Sequence, residues 1–191
     1  MSNEPRLTVT EALHVVQEYL NERNKNYLPW TINNDTSQSI QFYNKFFAID
    51  GCVWLAELDF QDFDRFLVIS DKKKAIEFLI IGVDKNKIPS IHPKLNIDRV
   101  IQISQDYNEE NHLEGVLPTN IRESIAFYER YDGFNGYAWQ VKMKVPPSPF
   151  GGDDNVYLII SDEKSCVEYI YDPSGYPVTS HLDDDSDEYD D

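Results

Sequence analysis

The chain has 191 residues, 41% apolar and 13% aromatic, and a formal charge of −17 from 34 acids against 17 bases. That is enough apolar material for a packed core and argues against global disorder. No apolar run approaches the roughly 18 residues that span a bilayer, and so negative a field opposes nucleic acid and anionic membranes while favouring a basic protein partner.

The charge is uneven. Residues 1–97 hold 11 bases and 13 acids (−2), residues 98–182 hold 6 and 14 (−8), and the tail Asp183–Asp191 supplies the remaining −7. The start, MSNEPRLTVTEALHVV, has no basic stretch leading into an apolar one, so no signal peptide is expected. Cys52 and Cys166 fall in strand-like segments without ligand or redox spacing. Both read as small buried hydrophobes of a cytoplasmic protein.

In chain order, Thr8-Val-Thr-Glu11 reads as a capping box, and Ala12, Leu13, Val15, Val16, Tyr19 and Leu20 recur at helical spacing, which predicts a helix over 9–23. Asp50-Gly51 between β-rich flanks predicts a hairpin of 39–49 with 52–60. Strands 65–70 and 75–82 follow, joined at Ser70–Lys73, where the Asp and Ser side chains can bond nearby amides. Residues 98–111 form a weaker helix, and the stretch before it admits a strand. At 121–128 a short helix competes with a strand at 124–132. Asn135-Gly136 predicts a hairpin of 124–134 with 137–145, and strands 156–161 and 166–172 complete the pattern.

The second half repeats the first. SIQFYNKFFAIDGCVWLAEL (39–58) aligns without a gap to SIAFYERYDGFNGYAWQVKM (124–143), and DRFLVISDKKKAIEFL (64–79) to NVYLIISDEKSCVEYI (155–170). Matches include Trp54/Trp139, Gly51/Gly136, Ser70/Ser161, Asp71/Asp162 and Glu77/Glu168, with Phe66/Tyr157 and Phe78/Tyr169 close in kind. The expected fold class is α+β: two tandem repeats, each an N-terminal helix followed by a four-stranded antiparallel meander, at 1–97 and 98–182. A disordered acidic tail at 183–191, dispensable for folding, follows. One such unit leaves an incomplete core, so the two should pack together about a pseudo-two-fold axis. Trp54 and Trp139 are expected as core anchors.

Catalytic and metal signatures fare badly. His14, His92, His112 and His181 are scattered, no zinc spacing appears, and there is neither a phosphate-cradling glycine loop nor a nucleophile elbow. Asp59-Phe-Gln-Asp62-Phe-Asp64 lacks the glycine and terminal glutamate of a calcium loop. No catalytic residue, cofactor or metal is expected. The second unit alone carries an insertion, PPSPFGGDDN within 146–155, and an acidic segment, YNEENHLEG at 107–115. Loops of this composition suit recognition.

The Thr8-to-Leu20 pattern T-x-x-E-A-L-x-x-V-x-x-Y-L, then G-x-x-W on a strand, then L-x-[IV]-S-D, resembles small bacterial immunity proteins of polymorphic toxin systems, the YrhB type among them. The resemblance covers the helix and three strands of the first unit and the strands of the second; the doubling and the acidic tail depart from the single-domain pattern. It implies a compact cytoplasmic α+β protein that binds and neutralises a cognate toxin, without catalytic residues of its own. Contact candidates are Phe150, Asp153, Asp154, Tyr107, Glu109, Glu110 and Glu114, with Asp62 and Asp64 second. The partner would be a basic protein rather than nucleic acid or membrane, and the chain a monomer. The alternative is an acidic adaptor or DNA mimic; an enzyme acting on a sugar would need convergent carboxylates that the sequence does not show.

Overall fold

The computed structural model describes residues 4–25, 29–32, 39–59, 64–113, 115–131, 136–146 and 155–171. Its core is one nine-stranded mixed sheet. In chain order the strands are β1 (Thr31–Ile32), β2 (Ile40–Tyr43), β3 (Val53–Asp59), β4 (Arg65–Ser70), β5 (Ala75–Ile81), β6 (Ile125–Tyr128), β7 (Ala138–Lys144), β8 (Asn155–Ser161) and β9 (Cys166–Tyr171). Both β1 and β2 pair with β3, and from there the order runs β3-β4-β5-β6-β7-β8-β9.

This corrects the expected pair of tandem repeats, each a helix followed by its own four-stranded antiparallel meander. β5 pairs with β6 in parallel, Leu79 opposite Ala126 and Ile81 opposite Tyr128, which joins both halves into one sheet. A parallel neighbour needs a long crossover, and residues 82–124 supply it. They include a 3₁₀ turn (Lys85–Ser90), helix α2 (Ile97–Glu110) and a second 3₁₀ turn (Ile121–Ser124). The predicted hairpin at Asp50-Gly51 is looser than a two-residue turn, since β2 stops at Tyr43, paired with Val53; β6 stops at Tyr128, and Asn135 of the second predicted turn lies outside the described residues.

Parallel pairing also turns the second half over. Helix α1 (Val9–Arg23) buries Ala12, Val16 and Leu20 in a cluster with Trp54, Ala56, Leu67 and Ile69. Alternate residues of the same strands, Val53, Leu55, Phe66 and Val68, face the other side. There they share one cluster with Ile97, Val100 and Ile103 of α2 and with Trp139, Val141, Leu158 and Ile160. Trp54 and its counterpart Trp139 therefore lie on opposite faces. The larger cluster draws on both halves, so the core is shared.

Helix starts are fixed by the same device twice. Thr8 and Glu11 form the capping box of α1, and Asn96 caps α2 by accepting from Arg99 N at 2.8 Å. Just before each cap the chain is tied to a buried aspartate. Asp71 accepts from the amides of Arg6 (2.8 Å) and Leu7 (2.9 Å) and from the Trp54 indole (3.0 Å). Asp162 accepts from Lys94 (2.7 Å), Leu95 (3.0 Å) and the Trp139 indole (3.0 Å). The turns agree in detail: Ser70 and Ser161 accept from Lys73 and Lys164, and Lys74 and Ser165 share a left-handed φ of 56° and 58°. Of the two cysteines, Cys52 is half-buried and Cys166 exposed, so the latter is not the core residue the strand pattern suggested.

Burial alone would raise the Asp71 carboxyl. The amides of Leu7 and Arg6, the Trp54 indole and the Arg6 charge outweigh it and hold the carboxyl below its ordinary 3.8. Asp71 therefore contributes stability at pH values above 3.8, and that contribution is lost as pH falls through its lower folded value. Asp71→Asn should cost about 2–3 kcal/mol at neutral pH, since charge-assisted bonds to buried donors are weakened. Urea unfolding at pH 7 and pH 3 measures this, and the gap between wild type and variant should narrow at the lower pH.

Candidate partner-binding surface

The segment after α2 reaches the strand end from which the insertion departs. After α2 the chain leaves the helix in a turn at Asn111 and His112, and Val116 bridges to Lys144 at the end of β7, with N···O distances of 2.7 and 3.0 Å in the two directions. The insertion at 146–155 leaves from that strand end, so its root lies beside the end of α2. Phe150, Asp153 and Asp154 within it lie outside the described residues, as do Glu114 and Asp62.

The local chemistry holds this junction closed. Asn108 accepts from Gly115 N (3.1 Å) and donates to Gly115 O (2.9 Å). A Cβ at Gly115 would sit 2.4 Å from Met143 Sδ and 2.9 Å from Asn108 Oδ1, so any larger residue there must displace both side chains. Tyr107 turns inward against the core, and burial pushes its phenol up. Glu109 and Glu110 point outward from the last turn of α2. Beyond them Val116 is 67% exposed. Asp64 is exposed at the start of β4. Because β3 runs antiparallel to β7, the start of β4 is at the opposite end of the strands from Lys144, and Asp64 is not brought together with Tyr107, Glu109 and Glu110.

A groove missed in the sequence lies on the α1 side of the sheet. It holds about 550 Å³ and is lined by Tyr19, Arg23, Trp30 and Arg65 from the first half and by Tyr128, Gln140, Lys142 and Tyr157 from the second, among others. The Arg23 and Arg65 guanidinium carbons stand 3.2 and 4.9 Å from the Trp30 ring centroid. Tyr128 donates to Gln140 Oε1 at 3.1 Å. Burial pushes the Tyr19 phenol up to about 12, raises that of Tyr128 further, and raises the Glu123 carboxyl at the groove edge. The repeat carried the signal: Leu55, Phe66, Phe78 and Ile80, all buried, correspond to Gln140, Tyr157, Tyr169 and Tyr171, all half-buried. Two of these pairs, Phe66/Tyr157 and Phe78/Tyr169, look conservative, but with Leu55/Gln140 and Ile80/Tyr171 they exchange closed apolar positions for polar and aromatic ones.

Among the described residues no group of three His, Cys, Asp or Glu side chains is placed to hold a metal ion, and no helix is long and apolar enough to cross a membrane. No family model matches the chain, and no curated protein does. Among solved structures it is similar to the Bacillus megaterium YpeB C-terminal domain, at 12% identity and a TM-score of 0.28, covering 86% of this chain and 62% of that one. The chain spans less than two thirds of that domain, and so low a score carries no inference about fold or function.

Gly115→Ala should lower stability by about 1–3 kcal/mol, because Met143 and Asn108 must both move. Thermal unfolding measures the loss, and faster hydrogen exchange at the Val116 and Lys144 amides should accompany it.

Proposed function

We propose that this chain is an immunity-type binding protein, acting in the cytoplasm without catalysis of its own, that captures a basic toxin protein and blocks it. Glu109 and Glu110 carry the reading. They occupy the last turn of α2, which contains no basic residue, and negative charge there opposes the helix dipole by about 0.3–1 kcal/mol per residue. Neither has an ion-pair partner among the described residues. Two charges kept where they weaken the helix, beside an exposed valine and at the root of the loop bearing Phe150, Asp153 and Asp154, fit a face that meets cations. Charges of this kind set association rate and orientation, while apolar anchors supply affinity.

The test is co-expression with the protein encoded beside this chain, scored for relief of toxicity, followed by binding kinetics at low and high salt. Relief, with association slowing as salt rises, is expected. Glu109→Gln combined with Glu110→Gln should slow association several-fold, roughly the loss from weakened steering, while making the isolated chain slightly more heat-stable. A partner of acidic or neutral surface, bound at a salt-independent rate, contradicts the reading.

A further inference from the structure

In the first half, the chain leaving a strand covers the strands behind it. Leu55, Phe66, Val68, Phe78 and Ile80 share a cluster with Val83, Ile88, Ile91 and Leu95, all four from the segment that follows β5. That segment travels as far as the β2–β3 connection, where Ile97 N donates to Ala48 O at 3.1 Å. On the way Lys85 pairs with Glu57 of β3 at 2.6 Å.

The counterparts of those five strand positions are Gln140, Tyr157, Ile159, Tyr169 and Tyr171. They lie on one face: Gln140 is opposite Ile159, Ile159 opposite Tyr169, and Tyr157 opposite Tyr171. Leu158 and Ile160 alternate with them and join the larger cluster on the α2 side. Ile159 is fully buried, yet it belongs to neither core cluster formed by the described residues, and the three tyrosines around it are half-buried. Helix α1 packs instead on β3, β4 and β5.

We infer that residues 172–182 strap this face, with Tyr176 and Val178 set against Tyr157, Ile159 and Tyr169, as the segment after β5 closes the corresponding face of the first half. These residues lie outside the described ones and read DPSGYPVTSHL. Tyr176-Pro177 repeats the pair Ile88-Pro89, with Pro177 six residues after Tyr171 and Pro89 nine after Ile80. Eleven extended residues reach about 36 Å, well beyond the roughly 14 Å that three strand spacings take from β9 back to β6. Charge is exchanged on both sides of the contact as well. Glu57 corresponds to Lys142, and where the first segment carries Lys85, Lys87 and Lys94, the chain from Asp172 to Asp191 carries acids and neither Lys nor Arg. This closure does not depend on what the acidic end of the sheet binds.

The experiment is paramagnetic broadening in the full chain, with Cys52→Ser and Cys166→Ser, a nitroxide carried on Ser180→Cys, and isotope-labelled isoleucine methyls. Loss of the Ile159 methyl signal is expected, while that of Ile103, on the α2 side of the sheet, is retained. Tyr176→Ser combined with Val178→Ser should bring the Ile159 signal back, because the apolar anchors are gone. An Ile159 signal affected no more than that of Ile103, or no recovery when both anchors are removed, overturns the assignment. So does broadening that passes between molecules when nitroxide and isotope are on separate chains, which gives the face to a second copy.

Discussion

A buried carboxylate that must be satisfied organises this molecule, and it occurs twice. Asp71 is 3% exposed and Asp162 4% exposed; a charge so placed is tolerable only when hydrogen-bonded on several sides. Each aspartate collects two backbone amides from the residues just before a helix cap and an indole N–H from the neighbouring strand. The turn between two strands thereby holds the start of a helix some 65 residues away. Leu7 and Leu95, beside these amides, are buried with them. Helix position, helix start and tryptophan orientation follow from one group.

The second constraint is the parallel junction of β5 and β6. It reverses the strand direction of the second half, so α1 and α2 cover opposite faces and the larger core cluster runs through both halves. Glu77, 1% exposed at the bulge in β5, strengthens the junction. It pairs with Lys73 at 3.1 Å and with Arg122, which also reaches Asp98 in the first turn of α2. Turning the second half over also leaves its α1-side face to half-buried tyrosines, where the first half has a closed apolar layer. The groove is thus a consequence of how the halves are joined.

Much of the local structure was legible. The capping box at Thr8, the apolar strand runs of β3, β4, β7 and β8, and the Ser-Asp turns all follow from short-range chemistry that one stretch of sequence displays. The long-range pairing was not. Nothing in IEFLII or IAFY says that β5 will take β6 as a parallel neighbour, because strand pairing is decided by the crossover and by which face needs covering. For the same reason α2 is a full helix: its apolar positions Val100 and Ile103 have a sheet to face, although its own last turn disfavours it. Asp71 and Asp162 could be seen as turn residues, but their amide partners are distant in sequence. At the candidate surface, the convergence of 107–116 with the root of 146–155 depends on the Val116–Lys144 bridge, a contact between segments nearly thirty residues apart.

Hydrogen exchange across the β5–β6 junction under native conditions tests the shared sheet most directly. With one sheet and one core, the amides of Leu79–Ile81 and Ala126–Tyr128 that bond across the junction should exchange only through global unfolding, at the same free energy as those of β4 and β8. If residues 97–171 open as a unit while α1 and β3–β5 stay protected, the halves are separate bodies, and the joined architecture described above is wrong.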